Sequence, residues 1–204
     1  MDTFENGDFA YQNNEFDKAF RIFQKLAESG DVKAQISLAG MYFSGQGTDS
    51  NLVEASKWYR FAAEQGYAIA QINLATILFE SNPKESIKLL KLASSQDMPL
   101  AQSMLGDIYS GIYGLSSDFE KDYRLSKKYY EKAGEKGFSY AYHRLGEIYL
   151  DLKKYKQAFK YFEKASKEGY APSQLILSQA YQKGLLGLEI DPKKSEYWLN
   201  KSRF

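Results

Sequence analysis

His143 is the single histidine in the chain, so any imidazole chemistry would pass through it. A Ser–His–acid relay needs a hydroxyl and a carboxylate within reach of one ring, and a metal site needs several convergent ligands. No acid lies within two residues of His143, and Glu147 falls one helical turn away. The sequence therefore reads His143 as a hydrogen-bonding surface residue. There are 0 cysteines, which excludes thiolate ligands and disulfides. The carboxylates close enough to pair, Glu131 with Glu135 and Asp118 and Glu120 with Asp122, fall on a helix face or in a loop. There they read as solubility and salt-bridge charges. Gly45-Gln46-Gly47 is followed by Thr48 and Asp49, not by the lysine of a phosphate-cradling loop. These residues predict no catalytic group, no metal site, no cofactor and hence no enzyme.

A second cluster is basic: Lys153, Lys154, Lys156, Lys160, Lys164 and Lys167, interrupted by Tyr155, Tyr161 and Phe162. Nucleic-acid binding needs such a stripe on an accessible face. Here the aromatics fall at core spacing, Glu163 and Glu168 dilute the charge, and the whole chain carries only +1. The expectation is no nucleic acid. The charge is nevertheless uneven, with 9 Lys+Arg and 13 Asp+Glu in residues 1–102 against 18 and 13 in residues 103–204. A partner with the opposite order of charge would gain in association rate. No apolar run approaches the roughly 20 residues of a membrane span, and the start MDTFENGDFA has no basic-then-apolar leader pattern. No membrane insertion and a cytoplasmic location are expected.

The elements that position these residues come from a repeat. AQISLAGMY, AQINLATIL, AQSMLGDIY and AYHRLGEIY begin at Ala34, Ala70, Ala101 and Ala141, and a weaker copy, SQLILSQAY, begins at Ser173. Gly30, Gly66, Asp97, Gly137 and Gly169 each stand four residues before one of these strings. Two signals in one register across unequal spacings mark tandem units. In each string a small residue, a Leu and usually a Tyr fall at i, i+4 and i+8, the stripe of one helix face. A small residue beside the Leu, such as Gly106 or Gly146, lets a second helix approach. Ala55, Tyr59, Ala62 and Ala63 form the matching stripe of a second helix, and Ala158, Phe162 and Ala165 repeat it. The preceding glycines read as C-caps. Residues 1–204 are thus expected to be a single all-α repeat domain, with units near 2–30, 31–66, 67–97, 98–137, 138–169 and 170–204.

These residues resemble the Sel-one-like repeat family, a branch of the tetratricopeptide-type solenoids. Ala34, Leu38, Tyr42, Gly45, Gly47, Ala55, Trp58, Tyr59 and Gly66 match its pattern, as do Asp191, Lys194, Tyr197 and Trp198 in the last unit. Residues 1–30 and 138–169 lack the Gly-x-Gly loop and look like plain tetratricopeptide repeats. The resemblance implies a right-handed superhelical solenoid of about six tandem antiparallel helix hairpins, first helices lining the concave face. It also implies a non-catalytic adaptor, scaffold or inhibitor that binds another protein; the sharper form is an immunity protein that neutralises a toxin or effector. The chain is expected to be a monomer.

First-helix residues off the Ala/Leu/Tyr stripe would face the concavity. By register these include Tyr11, Lys33, Ile36, Phe43, Ile69, Ile72 and Phe79, then Asp107, Tyr140, His143 and Glu147. Several are apolar where solvent is expected. Such residues either pack against neighbouring repeats or form a binding surface, and the sequence leaves both readings open.

Overall fold

The computed structural model describes residues 2–112 and 121–203. Within them the chain forms α1 (Phe4–Gln12), α2 (Phe16–Glu28), α3 (Val32–Ser44), α4 (Leu52–Glu64), α5 (Ala68–Leu78) and α6 (Pro83–Ser95). These are followed by α7 (Pro99–Ser110), α8 (Tyr123–Glu135), α9 (Ser139–Asp151), α10 (Tyr155–Lys167), α11 (Ala171–Lys183) and α12 (Pro192–Lys201). No strand occurs among the described residues. The helices pair as six antiparallel hairpins: α1–α2, α3–α4, α5–α6, α7–α8, α9–α10 and α11–α12. The chain divides into two compact units, residues 1–96 and 97–204. No helix among the described residues is long and apolar enough to cross a membrane.

Local chemistry sets the helix ends. Asn51, Asn82, Asp122 and Asp191 cap α4, α6, α8 and α12, their side-chain oxygens accepting from backbone N–H groups of the first turn at 2.9–3.3 Å. Pro83 and Pro192 follow two of these caps in the first turn, where a missing N–H is harmless. After the second helices the chain turns through left-handed residues such as Gly30, with φ 97°; Asp97 takes the same place with φ 59°. The glycine-free turns expected at 12–16 and 150–155 instead use Asn14 and Lys153, with φ 61° and 55°.

In unit 1 the stripe residues Ala34, Leu38, Ala70 and Leu74 are 0% exposed. Leu38 and Met41 join Phe23 and the alanines of α1 and α2 in one cluster. In unit 2 Ala101, Leu105, Ala141, Leu145 and Leu177 are equally buried. Burial of one such leucine stabilises by roughly 1.5–3 kcal/mol. The small residues beside the leucines work as expected. A Cβ on Gly106 would stand 2.6 Å from the Tyr130 ring, and one on Gly146 2.6 Å from the Phe162 ring. Each glycine thus brings a first helix against its own second helix through an aromatic ring.

Candidate protein-binding face

In unit 1 the face of the first helices is partly open. Tyr11 ends α1, its ring edge-on to Phe16 at 5.4 Å between centroids. Its hydroxyl donates to Gln46 Oε1 at 2.7 Å, which ties α1 to the loop after α3. An open groove of about 350 Å³ lies between α1 and α3, lined by Asp8, Tyr11, Ser37, Gly40 and Ser44 among others. Tyr11, Phe43 and Ile69 keep 36%, 49% and 55% of their surface exposed. Ile36 and Phe79 are half-buried, and exposed Lys33 sets its Nζ 5.8 Å from the Phe4 ring centroid.

Ile72 departs from the expectation: it is buried, with 4% of its surface exposed. Ser103 and His143 share its register, two residues after the leading alanine, and are 1% and 8% exposed. Within unit 2, α9 packs on the following hairpin as well as on α10, so the His143 position enters a seam. His143 lies 4.9 Å from the Tyr170 ring and 5.6 Å from Phe162, and its Nδ1 is 2.8 Å from Ser173 Oγ on α11. It hydrogen-bonds as expected, but it is not on the surface.

Asp107 is likewise buried, 6% exposed, rather than on the open face. Tyr130 of α8 donates to its Oδ1 at 2.5 Å, Tyr140 of α9 donates to the same oxygen at 3.0 Å, and Arg144 Nε stands 3.7 Å away. The Arg144 guanidinium also pairs with Glu147, whose other oxygen is 3.5 Å from His143 Nε2. A continuous polar chain therefore runs from α7 through α8 and α9 to α11. Asp107 and Glu147 hold the same repeat position, in LGDIY and LGEIY, and Arg144 bridges them. Tyr140 and Glu147 are half-buried and give the chain its accessible edge.

The network sets its own electrostatics. Burial, joined by the Asp107 charge, pushes the Tyr130 phenol far above its ordinary range. Burial opposes the charge on Arg144, but Tyr130 and Glu147 outweigh it and hold the guanidinium charged. Burial would raise the Glu147 carboxyl; the His143 hydrogen bond and the Arg144 charge outweigh it and hold the group below its ordinary value.

Ser173, His143 and Glu147 are connected like a hydrolytic relay, but their geometry fits a structural bridge. Ser173 is 0% exposed, so its hydroxyl has no path to a substrate carbonyl. The bonds are satisfied when Nε2–H points to Glu147 and Nδ1 accepts the Ser173 O–H. Of the other carboxylates considered, Glu131 accepts from Tyr161 at 3.1 Å, exposed Glu135 shares its helix, and Asp122 caps α8. Asp118 and Glu120 lie outside the described residues. Among the described residues no group of three or more His, Cys, Asp or Glu side chains could hold a metal ion.

Sequence reasoning overlooked several residues that build these faces. Tyr130, Arg144 and Ser173 were absent from the expected face, although the recurrent acid after Gly106 and Gly146 pointed to a buried counter-charge. It also overlooked the glutamine that follows the leading small residue. Gln35, Gln71 and Gln174 donate from Nε2 to the carbonyls of Ala27, Ala63 and Ser166 at 3.4, 3.3 and 2.9 Å, joining each first helix to the end of the preceding second helix.

Comparison with known proteins agrees with this architecture. Residues 3–31, 32–67, 68–98, 99–138 and 171–202 match the Sel1 repeat, and residues 139–167 match the tetratricopeptide repeat. The first hairpin, expected to read as a plain tetratricopeptide unit, thus matches the Sel1 pattern; Gly7 supplies its close helix contact, where a Cβ would meet the Phe23 ring at 2.6 Å. The solved Sel1 repeat protein from Oxalobacter formigenes is 28% identical with a TM-score of 0.86, covering 98% of this chain and 84% of that one. An immunity protein from Pseudomonas aeruginosa shares the fold, with a TM-score of 0.63 at 19% identity over 97% of this chain and 81% of that one. An uncharacterized protein of Neisseria meningitidis is 29% identical over 66% of this chain and 28% of its own length. The chain spans about a quarter of the length of the curated relatives it matches.

Proposed function

The chain belongs to the Sel1 repeat family, and from that premise we propose that it is a non-catalytic protein-interaction module whose first-helix face in unit 1 docks a partner protein. One observation carries the reading. Tyr11, Phe43 and Ile69 stay 36%, 49% and 55% exposed on successive first helices, and Tyr11 also lines the groove between α1 and α3. Interface energy concentrates in a few such apolar and aromatic anchors. Ile36 and Phe79 extend the apolar surface, and Lys33 supplies charge at its rim. In unit 2 the half-buried Tyr140 and Glu147 are the accessible edge of the polar chain, while Asp107 and His143 fix α7, α9 and α11. Catalysis is disfavoured because the nucleophile candidate Ser173 is sealed in the seam.

The finer form of the proposal is inhibition: an immunity-type protein that occludes a toxin or effector. The likeness to immunity proteins of Pseudomonas aeruginosa is one of fold alone. The alternative is a scaffold that leaves its partner active. The test starts from the partner recovered by affinity purification from the native host, then titrates it against wild type and a Phe43→Asp, Ile69→Asp variant of unchanged helicity. The proposal expects at least about 30-fold weaker binding by the variant, the equivalent of about 2 kcal/mol. Unchanged affinity would remove the first-helix face from the account. An assay of the partner's own activity with saturating chain separates inhibitor from scaffold.

A further inference from the structure

The lysine tract leaves a residue of unexplained charge. Lys164 lies over the Tyr142 ring at 4.8 Å and Lys167 pairs with Glu163 at 2.9 Å. Lys153, Lys154, Lys156 and Lys160 are exposed, and none forms an ion pair with a carboxylate among the described residues. Helix stability does not call for them. Lys154 holds the N-cap position of α10, which has no side-chain cap and no acid in its first turn. Positive charge at that end opposes the helix dipole.

Beside this tract lies an apolar groove of about 640 Å³, lined chiefly by Leu150, Tyr155, Ile176, Ala180, Leu185 and Leu186. It is formed by the α9–α10 turn, α11 and the loop after α11, all in unit 2. Leu150, Tyr155 and Leu185 remain 37%, 47% and 50% exposed. The loop that closes the groove is pinned: Leu186 packs against the cluster of Phe162, Leu177 and Trp198, although its φ of 58° disfavours a side chain of its shape. The volume is that of a site for a bulky apolar group.

The charge beside the lining indicates what such a group would carry. Lys153 and Lys154 fall between Leu150 and Tyr155, Lys156 follows Tyr155, and Lys183 precedes the loop. Asp151, Glu189 and Asp191 are the nearby acids in sequence, and Asp191 is paired with Lys194, so the surroundings remain net positive. A nucleic acid would need successive aromatic platforms in the open, whereas Tyr155 is the one exposed aromatic of the tract: Phe162 is fully buried and Tyr161 half-buried. We infer that this groove docks a short acidic segment of a partner protein, with a leucine- or phenylalanine-sized side chain over Leu150, Tyr155 and Leu185 and flanking carboxylates on Lys153, Lys154, Lys156 and Lys183.

The experiment uses the full chain and fluorescein-labelled short peptides in anisotropy titrations. One peptide places a single Phe among Asp and Glu residues, one replaces the acids by Lys, one replaces Phe by Ser, and a labelled single-stranded oligonucleotide completes the set. The acidic Phe peptide should bind in a salt-sensitive manner and the other three should not. Leu185→Asp should weaken binding about 30-fold, and the Lys154→Glu, Lys156→Glu pair about tenfold. These positions are exposed, so circular dichroism should show unchanged helix. The Phe43→Asp, Ile69→Asp variant should bind the peptide like wild type, which separates this site from the unit 1 face. Absence of binding by the acidic peptide, equal binding by its charge-reversed form, binding by the oligonucleotide in its place, or indifference to both groove variants would overturn the proposal.

Discussion

Asp107→Ala tests the buried network most sharply. The substitution removes the oxygen that accepts from Tyr130 at 2.5 Å and from Tyr140 at 3.0 Å. Tyr130 is 0% exposed, so its orphaned O–H finds no water; such a buried unsatisfied donor costs roughly 1–3 kcal/mol. Half-buried Tyr140 can turn toward solvent and adds less. Arg144 loses one neighbouring carboxylate but keeps Glu147. The variant no longer desolvates a carboxylate, which returns part of the loss. The net expectation is a destabilisation of about 2 kcal/mol, within a spread of roughly 1–3. Tyr130→Phe should cost only about 1 kcal/mol, because Asp107 keeps Tyr140 and Arg144. The double variant should cost less than the two combined, since they share one bond. Urea unfolding followed by circular dichroism at neutral pH measures all three. An Asp107→Ala midpoint indistinguishable from wild type, or full additivity, would refute the reasoning.

Further expectations follow from the same packing. Leu105→Ala should destabilise by roughly 2–5 kcal/mol in the same urea assay, since a 0% exposed leucine leaves a cavity. Gly146→Ala should cost about 1–3 kcal/mol and lower the thermal midpoint, because its Cβ would press a fully buried Phe162 ring. The Glu147 carboxyl is held below its ordinary value of 4.5, so its contribution is present above that value and is lost as pH falls through the lower folded one. Glu147→Gln should therefore flatten the acid limb of a stability–pH curve below about 4.5 and leave its slope near neutrality unchanged.

The helices and their pairing were legible because one stripe recurs at fixed register. Ala34/Leu38 and Ala141/Leu145 are fully buried for the same reason, since each pair joins a core cluster that its helix shares with the preceding hairpin. The faces were less legible. A helical wheel separates the side facing its own partner from the rest, but it does not show where the next hairpin lies. Within unit 2 that is why Asp107 and His143, expected on the open face, are buried; Ile72 of unit 1 is buried too, while Phe43 and Ile69 are exposed. The polar chain through Arg144 joins residues more than 60 positions apart, from Asp107 to Ser173. Only the repeat-equivalent acids at Asp107 and Glu147 hinted at it.

Hydrogen–deuterium exchange of the full chain with and without its purified partner tests the central claim most directly. The account predicts added protection on α1, α3 and α5 of unit 1, strongest around Tyr11, Phe43 and Ile69, with α2, α4 and α6 unchanged. Protection confined to α2, α4 and α6, with α1, α3 and α5 unaffected, would contradict it.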